Sequence, residues 1–229
     1  MTDKLLEGFE KRFLPKAYSD EGALMPELVE YGQNPDYMII SCADSRSDPG
    51  IIFDANPGIF LGFKAIGAIV RPYKPGTALA ASLQYALQYL KIDKLYLLGH
   101  THCGAVKALH DNIEDTDLRG FMDVMHDAMD KARAITEATL ENGRGETCDE
   151  ETLLREAERQ VLNLSAENLM GYPAVKKALD EDRLTIERLL FDMSQGNILR
   201  YDAKSQDYLP ATKSLTELVS AHSHDTCGC

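Results

Sequence analysis

Asp36-Tyr-Met-Ile-Ile-Ser-Cys42 and Leu95-Tyr-Leu-Leu98, the latter running straight into Gly99-His-Thr-His-Cys-Gly104, are the stretches that decide the fold. Both are apolar without alternation, too short for an ordinary helix and too continuous for a strand with one wet face. That is the pattern of a buried parallel strand. Between them Ile59-Phe-Leu-Gly-Phe63 reads as another strand, and Thr77 is suited to cap a helix over Ala78 to Lys91. Leu79, Leu83, Leu87 and Leu90 give that helix one apolar stripe. A further helix is expected from Ala105 to His110. Strand, helix and strand in alternation imply right-handed crossovers and an α/β fold with a central, mostly parallel sheet flanked by helices. Sites in such sheets gather at the carboxyl ends of strands, and both cysteine-bearing segments end predicted strands.

Outward from this centre, residues 1–32 read as an amphipathic helical arm interrupted near Pro15, with Leu5, Leu6, Phe9 and Phe13 at helical spacing. Toward the other end, a short helix after Pro173 leads into Leu184 to Phe191. A turn at Ser194-Gln-Gly-Asn197 and a returning strand, Ile198 to Tyr201, then form a hairpin that supplies an antiparallel edge strand. Residues 111–160 hold 15 acidic and 6 basic side chains, a net −9 of the whole chain's −13. This segment reads as a long exposed helix from Leu118 to Leu140, a loop from Asn142 to Cys148 and a second helix from about Glu150. Its default role is a solvated outer face, with a docking surface for a basic partner as the other reading. One domain over residues 1–215 and a flexible tail over 216–229 are expected, since neither a repeat nor a Pro/Ser-rich linker divides the chain.

The 229 residues suffice for a buried core without disulfide staples, and 44% hydrophobic with 27% charged residues is ordinary globular composition. A net charge of −13 and a pI near 4.9 argue against nucleic acid or an anionic membrane as partner, because both demand a basic footprint. No apolar run approaches the roughly 20 residues that span a bilayer, and the charged N-terminus does not read as an export signal. The odd set of Cys42, Cys103, Cys148, Cys227 and Cys229 suits a reducing, cytoplasmic setting.

His100 and Cys103 stand three apart just beyond a predicted strand, where a tight turn can aim both at one point. With Cys42 from a neighbouring strand end they make two thiolates and an imidazole, a donor set that suits zinc and leaves a fourth tetrahedral position open. His102 as a fourth ligand, or simply buried cysteines beside a core histidine, are the other readings. Asp44 and Arg46 follow Cys42 at intervals of two, so one side of the segment can carry all three. A guanidinium would keep that carboxylate ionised and oriented, whether as a structural turn bridge or as an acceptor beside the metal.

Cys42-Ala-Asp-Ser-Arg46, followed by Gly99-His-Thr-His-Cys-Gly104, resembles the paired signature of the beta-class carbonic anhydrases. The similarity extends to Gly32-Gln-Asn-Pro35, Pro57-Gly58, Ser82-Leu-Gln-Tyr-Ala86, Pro173-Ala-Val175 and Phe191-Asp192. The resemblance implies one zinc ion per chain on Cys42, His100 and Cys103, an Asp44–Arg46 dyad, and reversible hydration of carbon dioxide to bicarbonate by zinc-bound hydroxide. It also implies a homodimer or an assembly of dimers, formed through N-terminal helices and sheet edges. In some members the aspartate swings onto the metal when the dyad breaks. Asn56, Lys64 and Gly104 are expected in the substrate pocket, with His102 or His110 as candidate proton shuttles.

Two departures bear on that pocket. The family usually carries Arg-Asn-x-Gly/Ala-Asn after the second strand, and here the run is Lys64-Ala-Ile-Gly-Ala68. A glutamine often precedes Pro-Gly, on the pocket wall across the dimer interface, and here it is Asn56. So altered, the site could serve slower carbonic anhydrase chemistry, hydrolysis of carbonyl sulfide or carbon disulfide, or a non-catalytic scaffold or sensor. The tail His222-Ser-His-Asp-Thr-Cys-Gly-Cys229 is a separate candidate for metal binding.

Overall fold

The computed structural model describes residues 3–19, 24–142, 149–214 and 216. Cys148 and the His222–Cys229 tail lie outside the described residues. The arm comprises α1 (Lys4–Gly8), a π-turn (Phe9–Phe13), α2 (Leu14–Tyr18) and α3 (Leu24–Tyr31). Pro15 does not interrupt it. The wide turn sends Leu14 N–H back to the Phe9 carbonyl, and Pro15 then falls in a first turn, where its missing N–H leaves no bond unmade. The helical path ends at Ser19, which is extended. In α3, Leu28 packs so closely on Gly58 that a Cβ there would meet its Cδ2 at 2.8 Å.

The body runs β1 (Tyr37–Cys42), α4 (Pro49–Ile52), β2 (Phe60–Ala65), α5 (Ala78–Gln84), a π-turn (Tyr85–Tyr89), β3 (Lys94–His100) and α6 (Gly104–His110). It continues through α7 (Thr116–Met122), α8 (His126–Glu141), α9 (Glu150–Leu169) and α10 (Pro173–Asp180). The last strands are β4 (Thr185–Asp192), β5 (Asn197–Asp202) and β6 (Asp207–Pro210). The six-stranded sheet has the order β2-β1-β3-β4-β5-β6, in which the first four strands pair in parallel and β5 pairs antiparallel with both β4 and β6. The mostly parallel α/β expectation therefore holds. The expected hairpin forms, but the edge is β6, a four-residue strand that sequence reading missed because its only buried position is Tyr208.

Met38, Ile40, Leu95 and Leu97 join the apolar faces of α5, α6, α8, α9 and α10 in one large core. On the opposite sheet face Ile39, Leu98, Leu189 and Ile198 form a smaller cluster, bordered by half-buried Tyr37, Phe60 and Tyr96. Thr77 caps α5 as expected, its Oγ1 accepting Ala80 N–H at 3.4 Å.

The second helix of the acidic segment begins at Glu150 as expected, but Leu118 to Leu140 is not one exposed helix. A 3₁₀ turn at Asp123–Met125 separates α7 from α8, and Met122, Met125, Met129 and Ala132 are buried. The charge count concealed an amphipathic stripe, whose apolar side packs against α9 while the carboxylates stay in water. Helix α9 in turn lies so close over β3 that a Cβ at Gly99 would meet Leu162 Cδ1 at 2.7 Å. A side chain at position 99 would push away the helix that flanks the site.

Candidate metal centre

Strands β1 and β3 are parallel neighbours in register, Ser41 beside Leu98, so their carboxyl ends deliver Cys42 and His100 to the same edge. The chain then turns through Thr101 and His102, the latter at a φ of 59°, and Cys103 stands at the N-cap of α6. Cys42 Sγ, a ring nitrogen of His100 and Cys103 Sγ lie within 4.8 Å of one another, and all three residues are buried.

These residues fit a zinc ion. His100 Nδ1 is 2.9 Å from the Thr101 carbonyl, which fixes the tautomer with the proton on Nδ1 and leaves an electron pair on Nε2. That Nε2 is buried without a hydrogen-bond partner. An orphaned imidazole nitrogen facing two sulfurs is costly in a dry interior unless a cation takes it up. The span suits zinc bonds of about 2.3 Å to sulfur and about 2.0 Å to nitrogen.

Local electrostatics favour thiolate character at Cys42. A hydrogen bond from the Cys103 thiol draws the Cys42 pKa far down against the cost of burial, assisted by His100 and by Asp44 N–H at 3.4 Å. Gly67 N–H also points at this sulfur, at 3.3 Å. The same thiol bond, together with burial, pushes Cys103 up. Burial opposes charge on His100, but Cys42, the Thr101 carbonyl and Asp44 outweigh it and raise its pKa.

Arg46 holds Asp44 in a fork, Nε to Oδ1 at 3.0 Å and Nη2 to Oδ2 at 2.8 Å, while Arg46 N–H adds a bond to Oδ1 at 2.9 Å. Hydrogen bonding to Arg46 outweighs desolvation and keeps the Asp44 carboxyl well below the usual carboxylate range. Asp44 Oδ2 is 3.9 Å from His100 Nε2, so the fork adjoins the three-ligand cluster. Arg46 Nη2 also donates to the His102 carbonyl at 3.1 Å, and His102 Nε2 meets Ser194 Oγ at 2.8 Å. His102 is therefore engaged with the β4–β5 turn, and the three-ligand cluster does not include it.

The departures surround Cys42 differently from one another. Ala65 pairs with Cys42 in the sheet and accepts Ala43 N–H at 3.1 Å. Gly67 takes a φ of 66° to bring its N–H to the sulfur. Lys64 ion-pairs with Asp48, whose Oδ1 caps α4 by accepting Gly50 N–H at 2.9 Å. Gly104 opens α6 beside Cys103, with open space where a Cβ would stand. Asn56 is not brought to the cysteines of its own chain. It lines an open cavity of about 380 Å³ with Tyr37, Ile39, Phe60 and Tyr96. His110, at the end of α6, neighbours Asp111 and Glu150, two carboxylates that Lys107 already pairs.

Sequence reading missed Glu158. It projects from the middle of α9, at the end of the acidic segment, into the interior, and its Oε1 accepts Cys103 N–H at 2.8 Å. Burial pushes its carboxyl up to about 7 against the pull of that bond and of Arg155. Periodicity carried the signal, since Leu154 and Leu162, one turn to either side, are both buried.

A curated carbonic anhydrase of Synechococcus elongatus is 29% identical over 205 residues, covering 89% of this chain and 73% of that protein. Carbonic anhydrase 1 of Escherichia coli O157:H7 is 27% identical over 208 residues, covering 90% of this chain and 91% of its own length. Among solved structures the beta-carbonic anhydrase CcaA superposes with a TM-score of 0.75 at 24% identity, over 92% of this chain and 90% of that one, a likeness of fold. The carbonic anhydrase family profile matches residues 37–198, from the first strand to the start of β5, and the chain belongs to the beta class of that family of enzymes.

Proposed function

We propose that this protein catalyses the reversible hydration of carbon dioxide to bicarbonate and a proton, with one zinc ion held by Cys42, His100 and Cys103. The observation that carries this reading is the buried cluster of Cys42 Sγ, Cys103 Sγ and a His100 ring nitrogen within 4.8 Å of one another, with the partnerless His100 Nε2 3.9 Å from a carboxylate clamped by Arg46. Zinc supplies Lewis acidity that makes water nucleophilic near neutral pH.

The chain's own residues do the rest. Cys42 and Cys103 supply negative charge, and His100 is oriented by its bond to Thr101. Asp44, kept ionised, can accept a hydrogen bond but not donate one, so it selects and aligns a water by taking one of its protons in a hydrogen bond. Arg46 fixes the direction of that acceptor, and its exposed guanidinium leaves positive charge beside the exit of an anionic product.

A second copy of the chain belongs to this reading. The cavity holding Asn56 is rimmed by apolar side chains, and the arm exposes Leu5, Leu6 and Phe9. Docking these surfaces between two copies buries both and would let Asn56 serve the partner's centre. No described helix is long and apolar enough to cross a membrane, and a cytoplasmic setting remains part of the proposal.

Stopped-flow hydration of carbon dioxide by zinc-loaded protein from about pH 6.5 to about pH 9, with Asp44→Ala alongside, tests the reading. Activity that collapses in the variant supports it. Absence of activity with one zinc per chain confirmed overturns it and directs the assay to carbonyl sulfide and carbon disulfide.

A further inference from the structure

Glu158 has a side chain only 2% exposed, on the face of α9 that also buries Leu154, Ala157, Val161 and Leu162. Its Oε1 accepts Cys103 N–H at 2.8 Å and lies 3.1 Å from Arg155 Nη2. Its Oε2 is buried with no hydrogen-bond partner, as are Arg155 Nε and Nη1. A buried ion pair with so many idle polar atoms is a poor stabiliser compared with an apolar side chain in such company. Stability therefore does not account for a carboxylate here. Its one well-made bond to the backbone grips the peptide of Cys103, 55 positions away in sequence, at the point where the chain turns into α6.

We propose that Glu158 is a positioning residue for the metal centre, gripping the Cys103 backbone from α9 so that the Cys103 sulfur faces Cys42 and His100 before an ion binds. It acts through Cys103 and is not itself within the three-ligand cluster. The inference rests on the zinc reading for its purpose, but not for the geometry that it tests. The acceptor at Cys103 N–H is the feature that matters, so a variant that keeps the acceptor and a variant that withdraws it should behave oppositely.

The experiment compares Glu158→Gln, which keeps an oxygen at the same reach, with Glu158→Asp, which keeps the charge but draws the oxygen back by one methylene. Zinc affinity is read by competition with a chromophoric chelator. The thiolate-to-metal absorption of the cobalt-substituted protein reports the geometry of the ligands. Amide hydrogen exchange at Cys103 is followed before any metal is added. The expected result is a loss of about 10-fold to 100-fold in zinc affinity for Glu158→Asp, with an altered cobalt spectrum and faster exchange at Cys103. Glu158→Gln should stay close to the unsubstituted protein in all three. Equal behaviour of the two variants, or loss in Glu158→Gln with retention in Glu158→Asp, overturns the proposal. If the unsubstituted protein takes up no zinc, the zinc reading fails, and exchange at Cys103 still decides whether Glu158 positions that residue.

Discussion

Arg46 Nη2 bridges two parts of the site, 2.8 Å from Asp44 Oδ2 and 3.1 Å from the carbonyl of His102. One guanidinium thus ties the segment after β1 to the segment after β3, the two strands that deliver Cys42 and His100. Only a planar group with several fixed donors can hold a carboxylate by two bonds and a peptide carbonyl by another.

Replacing that fork by an ammonium tests its geometry. Arg46→Lys keeps the charge but cannot hold Asp44 bidentately while reaching His102. Hydration kcat/KM should fall on the order of 10-fold to 100-fold, with zinc content unchanged, as measured by stopped flow and metal analysis. Full activity in the lysine variant would mean that charge alone suffices.

Gly67 should tolerate no side chain. At a φ of 66° an added Cβ would lie 3.1 Å from Ile69 Cγ1 and 3.3 Å from Ala105 Cβ, and the N–H bound to Cys42 Sγ would shift. Gly67→Ala is expected to cost about 1–2 kcal/mol in urea denaturation and to weaken zinc retention. An alanine variant as stable as the parent would show that the turn relaxes freely.

The Asp48–Lys64 pair gives a pH-dependent stability contribution whose sign follows from its cause. The hydrogen bond to Lys64 outweighs desolvation and lowers the Asp48 pKa in the folded protein. The folded state therefore binds a proton less readily than the unfolded chain, and the stabilisation is present above the ordinary carboxylate pKa and lost as pH falls through the lowered one. Asp48→Asn, which retains a capping oxygen for α4, should be less stable by about 0.5–1 kcal/mol near neutral pH, a modest figure because the pair is partly exposed. The gap should narrow by about pH 3 in parallel denaturation curves. A gap equal at both pH values would rule out the ion pair as its source.

The run from Lys64 to Ala68 is open to restoration. In the double variant Lys64→Arg, Ala65→Asn, carbon dioxide hydration should rise if the native run merely weakens the site beside Cys42. A site retuned for a sulfur analogue should instead lose turnover of that analogue. Unchanged turnover of both substrates would mean that this run does not govern the chemistry.

The resemblance drew its force from two short motifs, yet the residues around them were unequally legible. Thr77 announced its capping role because a cap is a local event, settled within three residues. Asp44 and Arg46 could be paired on paper for the same reason. Pro15 misled, because a π-turn just before it changed which N–H groups needed partners. The helix at 118–140 misled because counting charge along a chain ignores which side of the helix carries it.

The sequence by itself determined that the apolar runs form a mostly parallel sheet and which three side chains are able to bind a soft cation, since these follow from periodicity and from donor chemistry. Only the tertiary structure decided that His102 turns to Ser194, that Lys64 is committed to Asp48, and that Glu158 reaches Cys103. Each of those bonds joins positions 16 or more apart in the chain. Such contacts depend on how α4, α9 and the β4–β5 hairpin pack against the sheet, and packing is set by the fit of whole surfaces rather than by any local pattern of residues.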